Sequence, residues 1–204
     1  MARKQVAAKE DTHTNVKHLE VGICGLSCRL CPRFHTIGIS KCGGCKSEYM
    51  MAVGCPFITC AVKRKGIEFC GSCEESKTCE KLRKQREFSR QYDTFTCYQK
   101  LEDNISFIQN NGVNEFEERQ KTKEELLKEM LRDFNEGRSK TFYCIAATVL
   151  KTEELEAALR RAREFSKLDV KEKSRILHSI LYELAEKKHY LLKLRKYWQN
   201  KEVT

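Results

Sequence analysis

The chain has 204 residues and a mass of 23.8 kDa, 33% of it charged and 40% hydrophobic, with a mean hydropathy of −0.61. That length holds one or two domains, and no apolar run approaches the ~18 residues of a membrane helix, which argues against a membrane protein. The formal net charge of +10 counts twelve cysteines as neutral. If eight were thiolates on two Zn2+, eight negative and four positive charges would leave only +6, so a nucleic acid is not expected as the main partner.

Residues 1–19 are polar, lack the apolar stretch of a secretory signal, and read as a mobile N-terminal arm. Residues 20–103 read as a Cys-rich metal-binding domain with a closing helix. Ten cysteines fall between Cys24 and Cys79, a local density above the ~8–10% that marks disulfide or metal scaffolds. Eight of the ten glycines lie between Gly22 and Gly71, and both prolines, Pro32 and Pro56, directly follow a cysteine. The region is therefore rich in turns. With no export signal the expected compartment is cytoplasmic and reducing, where disulfides are a poor explanation of so many cysteines. The stretch Glu80–Tyr92 has no Gly or Pro and predicts the closing helix. Its basic residues (Lys81, Arg83, Lys84, Arg86, Arg90) fall on several sides, as on a solvated helix rather than a phosphate-contacting stripe.

Residues 104–204 read as a helical C-terminal domain with an ordinary apolar core, which the scattered apolar residues of the N-terminal half do not supply. Thr122 with Glu125 predicts a capping box ahead of Leu126, Leu127, Met130, Leu131 and Phe134 at helical spacing. Gly137 is expected to end that helix in a left-handed conformation. The apolar run Phe142–Leu150 fits a strand or a buried helix. Thr152 is the expected N-cap of a helix carrying Leu155, Ala158, Leu159 and Ala162. Asp169 with Glu172 repeats the capping pattern before Ile176, Leu177, Ile180, Leu181 and Leu184. The YLLKLRKYW run after His189 fits a short strand or a continued helix.

The cysteines read Cys24-x3-Cys28-x2-Cys31-x10-Cys42-x2-Cys45-x9-Cys55-x4-Cys60-x9-Cys70-x2-Cys73-x5-Cys79. A Cys-x2-Cys pair lets two sulfurs of one tight turn reach a single ion, and Gly43, Gly44, Gly71 and Ser72 leave backbone N–H groups free to point at sulfur. Two such pairs joined by a ten-residue loop make a tetrahedral four-cysteine site, as in zinc ribbons. Cys28, Cys31, Cys42 and Cys45 fit that pattern. A second site would draw on Cys60, Cys70, Cys73 and Cys79, leaving Cys24 and Cys55 as an extra pair. The expected cofactor is two Zn2+. The rival is a [4Fe-4S] cluster, because Cys24, Cys28 and Cys31 supply three sulfurs from one loop.

The segments CGLSCRLCP, KCGGC and GCPFITCAVKRKGIEFCGSCEESKTCEKL, in that order, resemble the domain-of-unknown-function 3795 family of bacterial and archaeal cysteine-rich proteins over about residues 22–84. FNEGRSKTFYC and LLKLRK resemble its longer members. The resemblance implies zinc binding and no established activity. The family often carries a further cysteine shortly before the segment that here reads GCPFITC. Gly54 stands before Cys55 in this chain, so no grouping of ligands transfers from other members.

His35, four residues after Cys31, is a possible imidazole ligand but reads better as a turn histidine, since thiolates are already plentiful. His178 and His189 sit on predicted helix faces. Cys97 reads as a buried thiol. Cys144 follows Arg138 and Lys140, a pairing that can lower a thiol pKa, but it is embedded in FYCIAATVL and reads as core. No phosphate loop, HExxH or GxSxG is present, and no catalytic residue is identified. The expected function is a zinc-binding structural or interaction module with closed four-cysteine sites and a protein partner. The alternatives are an iron–sulfur redox or accessory protein, or a metal- or sulfur-handling factor.

Overall fold

Glycine, proline and cysteine break the chain into turns up to residue 79, and long charged segments without glycine or proline turn it into helices afterwards. A computed structural model describes residues 16–197. Most of the expected arm, residues 1–15, lies outside the described residues. Its last part does not behave as a mobile arm: the Lys17 and His18 amides donate to the Glu68 carboxylate at 2.8 and 3.1 Å.

Among the described residues the Cys-rich half contains no strand, only an isolated antiparallel bridge between Val21 and Ser27. Its regular pieces are 3-10 turns at Cys28–Leu30 and Cys70–Ser72, and two short helices, α1 (Glu48–Val53) and α2 (Pro56–Ile58). Pro56 opens α2 at the position where a missing N–H costs nothing. Its axis then widens into a π-helical turn, Thr59–Arg64. The helices that follow are α3 (Glu80–Gln91), α4 (Leu101–Asn111), α5 (Val113–Asp133), α6 (Lys140–Val149), α7 (Thr152–Arg163) and α8 (Val170–Glu186).

Leu127 and Met130 of α5, Tyr143 and Ile145 of α6, Leu155 and Leu159 of α7, and Leu177 and Leu181 of α8 are buried in one core. Each such side chain contributes roughly 1.5–3 kcal/mol on leaving water. The run Phe142–Leu150 is therefore a buried helix, resolved in favour of 3.6-residue periodicity. Asp169 caps α8, accepting from the Lys171 and Glu172 amides.

Four expectations are corrected. Thr122 lies inside α5 rather than before it, and its hydroxyl donates to the Glu118 carbonyl. The charged segment 113–121 is helical because α5 continues unbroken through it, and a back-bonded threonine is tolerated there. The helix ends at Asp133, with Phe134 as its C-cap. Gly137 does take a left-handed φ of 101°, but it serves the following corner. Lys151, not Thr152, precedes α7, and the Glu154 side chain accepts from the Lys151 amide at 2.8 Å. Finally, residues 190–196 are neither strand nor helix, and the end of the predicted run, Trp198, lies outside the described residues. Arg195 holds the segment irregular by donating to the Asp93 carboxylate and to the Ser89 and Arg90 carbonyls.

The Cys-rich half also holds more apolar packing than its sequence promises. Ile23, Ile58, Ala61 and Val62 form a small cluster with Met50, Met51 and Phe57 around them. Two further clusters are completed by α4 and α5: Val21 and Phe69 with Ile108 and Phe116, and Leu26 with Leu101 and Ile105. Leu30 and Cys97 join the helical core itself. The expected boundary at residues 103 and 104 thus falls within α4, a helix that serves both halves.

Candidate metal centre

The loop after Leu19 turns back on itself before the first cysteines. The Gly22 amide donates to the Leu26 carbonyl at 2.7 Å and the Cys28 amide to the Glu20 carbonyl at 2.7 Å. A second turn, Cys42–Cys45, packs on this loop. Gly44 takes a φ of 102°, and a Cβ there would lie 3.0 Å from the Leu19 carbonyl oxygen. Only glycine permits that approach. The approach brings the Cys45 amide to 3.3 Å from Cys28 Sγ, the kind of N–H···S contact the small residues between these cysteines leave free.

Lys46, one residue beyond Cys45, is 2% exposed. Its ammonium donates to the Glu68 carboxylate at 2.8 Å and to the His18 carbonyl at 3.1 Å, and it lies 4.2 Å from the Phe69 ring centre. One buried ion pair therefore joins the knuckle to the segments on either side of it. Arg29, inside the Cys28–Cys31 turn, reaches Glu124 of α5 at 2.6 Å, and His18 Nδ1 meets Glu117 of α5 at 2.9 Å.

The cysteines fall into two neighbourhoods. Cys24, Cys28, Cys31, Cys42, Cys45 and Cys55 line one cavity of about 250 Å³, with Phe34, Met50, Phe57 and Phe95 among its walls. Cys55, Cys60, Cys73 and Cys79 all lie close enough to Cys70 to raise its pKa by charge repulsion. The Cys70 amide donates to the Ile23 carbonyl at 2.8 Å, which draws the second neighbourhood against the first. Cys24 sits between them, within the field of both Cys45 and Cys70. Among the described residues, no group of three or more His, Cys, Asp or Glu side chains is disposed to hold a metal ion.

Burial, followed by repulsion from neighbouring thiolates, pushes Cys24 and Cys70 up to about 12. Burial also raises Cys31. The hydrogen bond between Cys28 and Cys45 splits that pair. It raises Cys28 well above the ordinary thiol value and, against burial and with the help of Lys46, lowers Cys45 to about 7. As a donor set these are soft sulfurs whose charges repel one another, which is what a bound cation compensates.

The remaining candidates are placed elsewhere. His35 Nε2 bonds the Arg29 carbonyl, closing its own turn. Cys97 is buried and held up at about 11 by burial and the nearby Asp93. Cys144 is fully buried in the helical core, and burial raises its pKa. The reading of Cys144 as core therefore holds, and Lys140 is occupied with the Thr36 hydroxyl at 3.1 Å.

Local patterns missed Lys46 and Glu68, which the fold brings together across 22 residues. They also missed a hydroxyl network at the α5–α6 corner. Ser139 donates to Glu136 at 2.6 Å and lies 2.7 Å from His178 Nε2, and Ser174 donates to the same Glu136 oxygen at 2.7 Å. The carboxylate binds the serine rather than orienting the imidazole, and Ser139 is 2% exposed, so this is a structural clasp and not a nucleophile–base pair.

No family model, curated protein or solved structure matches the chain. Among the described residues no helix is long and apolar enough to cross a membrane.

Proposed function

We propose that this chain is a zinc-binding protein, as the resemblance to the domain-of-unknown-function 3795 family implies, and that its Cys-rich half is an interaction module mounted on a helical scaffold. The observation that carries the reading is the gathering of ten cysteines into two adjoining neighbourhoods, one around the Cys28–Cys45 contact and one around Cys70. Cys28, Cys31, Cys42 and Cys45 would hold one ion, and Cys60, Cys70, Cys73 and Cys79 the other. Zinc in a closed four-thiolate site supplies cross-linking and charge compensation and no open position for chemistry. The chain's own part is to hold the turns. Lys46 fixes the second knuckle through Glu68, Arg29 fixes the first through Glu124, and Gly44 permits their approach. A protein partner fits the exposed apolar residues on the same half. Ile37 and Ile39 are fully exposed on the loop between the two knuckles, and Tyr49 and Val53 are exposed on α1.

A second reading rests on the cavity. Its six cysteines include the Cys24, Cys28, Cys31 loop, a set suited to three irons of a [4Fe-4S] cluster. Elemental analysis of anaerobically purified protein separates the two. Two zinc per chain, with sulfur at about 2.3 Å by X-ray absorption, supports the first reading. Stoichiometric iron with inorganic sulfide overturns it in favour of the second.

A further inference from the structure

A second cavity, of about 230 Å³, lies on the other side of the Leu26–Leu30 loop, where residues 96–104, α5 and the α6–α7 junction meet. Its polar walls carry an excess of positive charge. Lys100, Arg119, Lys123 and Lys151 line it, against one carboxylate, Asp103. That carboxylate is already engaged by Lys100.

Lys123 is the unusual member. It is 9% exposed, and among the described residues its ammonium has one hydrogen bond, to the Leu150 carbonyl at 2.6 Å, and no carboxylate partner. An ammonium carries three donors, and a buried charge is ordinarily paired. Arg119 stands on the same face of α5, its guanidinium 4.4 Å from the Phe107 ring centre, and it too has no ion pair among the described residues. Beside them the Ser27 hydroxyl is buried and has no hydrogen-bond partner among the described residues. Among the described residues the cavity thus presents two cations without a salt-bridge partner and an idle hydroxyl, while Leu26, Leu30, Phe116 and Val149 supply apolar wall. Burial lowers the Lys123 pKa to about 8, repulsion from Arg119 and Lys100 adds to that, and the more distant carboxylates Glu154 and Glu153 offset it only in part. An anion in the cavity would offset the repulsion and supply the opposite charge that a buried ammonium ordinarily has.

We propose that this cavity binds a tetrahedral oxyanion, the phosphoryl group of a small phosphate monoester, with Lys123 and Arg119 as its cationic anchors and Ser27 as a neutral donor. Two positive charges match the ≈ −1.5 to −2 charge of a phosphate monoester near neutral pH, and charge-assisted hydrogen bonds of this kind are the strong ones. The apolar wall is where the organic remainder would lie. Both cations stand on α5, outside the proposed sets of sulfur ligands, while Ser27 directly precedes Cys28 and lines both cavities.

The test is titration calorimetry on the full chain as purified, at fixed ionic strength, with inorganic phosphate and with glycerol 3-phosphate as probes. Saturable binding is expected. It should weaken by about tenfold or more in Arg119→Gln and in Lys123→Met. The exposed Arg119 site keeps the test usable if Lys123→Met perturbs folding, which thermal melts would reveal. A monoester binding more tightly than phosphate assigns the apolar wall to the organic group, and equal affinities assign the site to the free ion. The proposal is overturned if neither probe saturates by about 10 mM, or if Arg119→Gln binds as well as the unaltered chain.

Discussion

Arg195 closes the chain onto the end of α3, and removing its guanidinium is the most decisive perturbation of the scaffold. The Asp93 carboxylate, wholly buried, accepts from the Tyr98 amide at 2.6 Å and from the Arg195 amide, Nε and Nη2 at 2.9 Å each. Arg195→Met keeps the length and apolar stem of the side chain and deletes two of these four donors. It also removes the cap on the Ser89 and Arg90 carbonyls. Breaking one side of a buried pair leaves an uncompensated charge, at a cost of about 3–5 kcal/mol. For a chain of this size that lowers the melting temperature by roughly 6–20 °C. Urea unfolding of the variant should show the shift in midpoint with an unchanged slope. Arg195→Lys should recover less than half, because a point charge cannot supply the planar fork. A loss under about 1 kcal/mol for Arg195→Met, or full recovery by Arg195→Lys, would refute the reasoning.

Three further outcomes are expected. Gly44→Ala should lower the urea midpoint by about 1–3 kcal/mol equivalent, more than Gly54→Ala, because both positions have positive φ but only at Gly44 does the new Cβ meet the Leu19 carbonyl. Burial opposes ionisation of Glu136, yet hydrogen bonds from Ser139 and Ser174 hold its pKa down to about 2. Its contribution to stability is therefore present above the ordinary glutamate range and lost as pH falls toward 2. Glu136→Gln should cost about 1 kcal/mol at pH 7, the exposed carboxylate being screened by solvent, and flatten the acid limb of the stability–pH curve. Iodoacetamide should leave Cys97 and Cys144 untouched in the native protein and modify both in denaturant. Mass spectrometry finding native modification at Cys144 would contradict its burial.

What the sequence discloses and what it hides divide along physical lines. Asp169 and its helix are legible because a cap and a 3.6-residue period are local properties. The same holds for α3 and for the Cys-x2-Cys turns. The start of α5 was not legible, since residues 113–121 are too charged to show an apolar stripe and Thr122 mimics a cap. The segment around Arg195 fits a short strand or a continued helix by local pattern, but its conformation is set by a carboxylate 102 residues away. Lys46 is a surface residue by composition and a buried one in the fold, because Glu68 and the Phe69 ring receive it. The basic cavity on α5 was invisible for the same reason: Lys100, Arg119 and Lys123 converge only once α4 and α5 pack.

The ties that lock the cysteine turns cross long stretches of chain: Arg29 to Glu124 spans 95 residues and His18 to Glu117 spans 99. On a ribosome the cysteines would emerge well before α5 exists to receive these bonds. During that interval ten thiols lack the walls that α4 and α5 later supply, and they are open to oxidation. A fragment ending at residue 110, which lacks both glutamates, is accordingly expected to oxidise faster than the full chain in a thiol assay, and equal rates would show that the turns shelter their own sulfurs. The fold thus sets a timetable for the young chain, in which its sulfurs are made before the helices that enclose them.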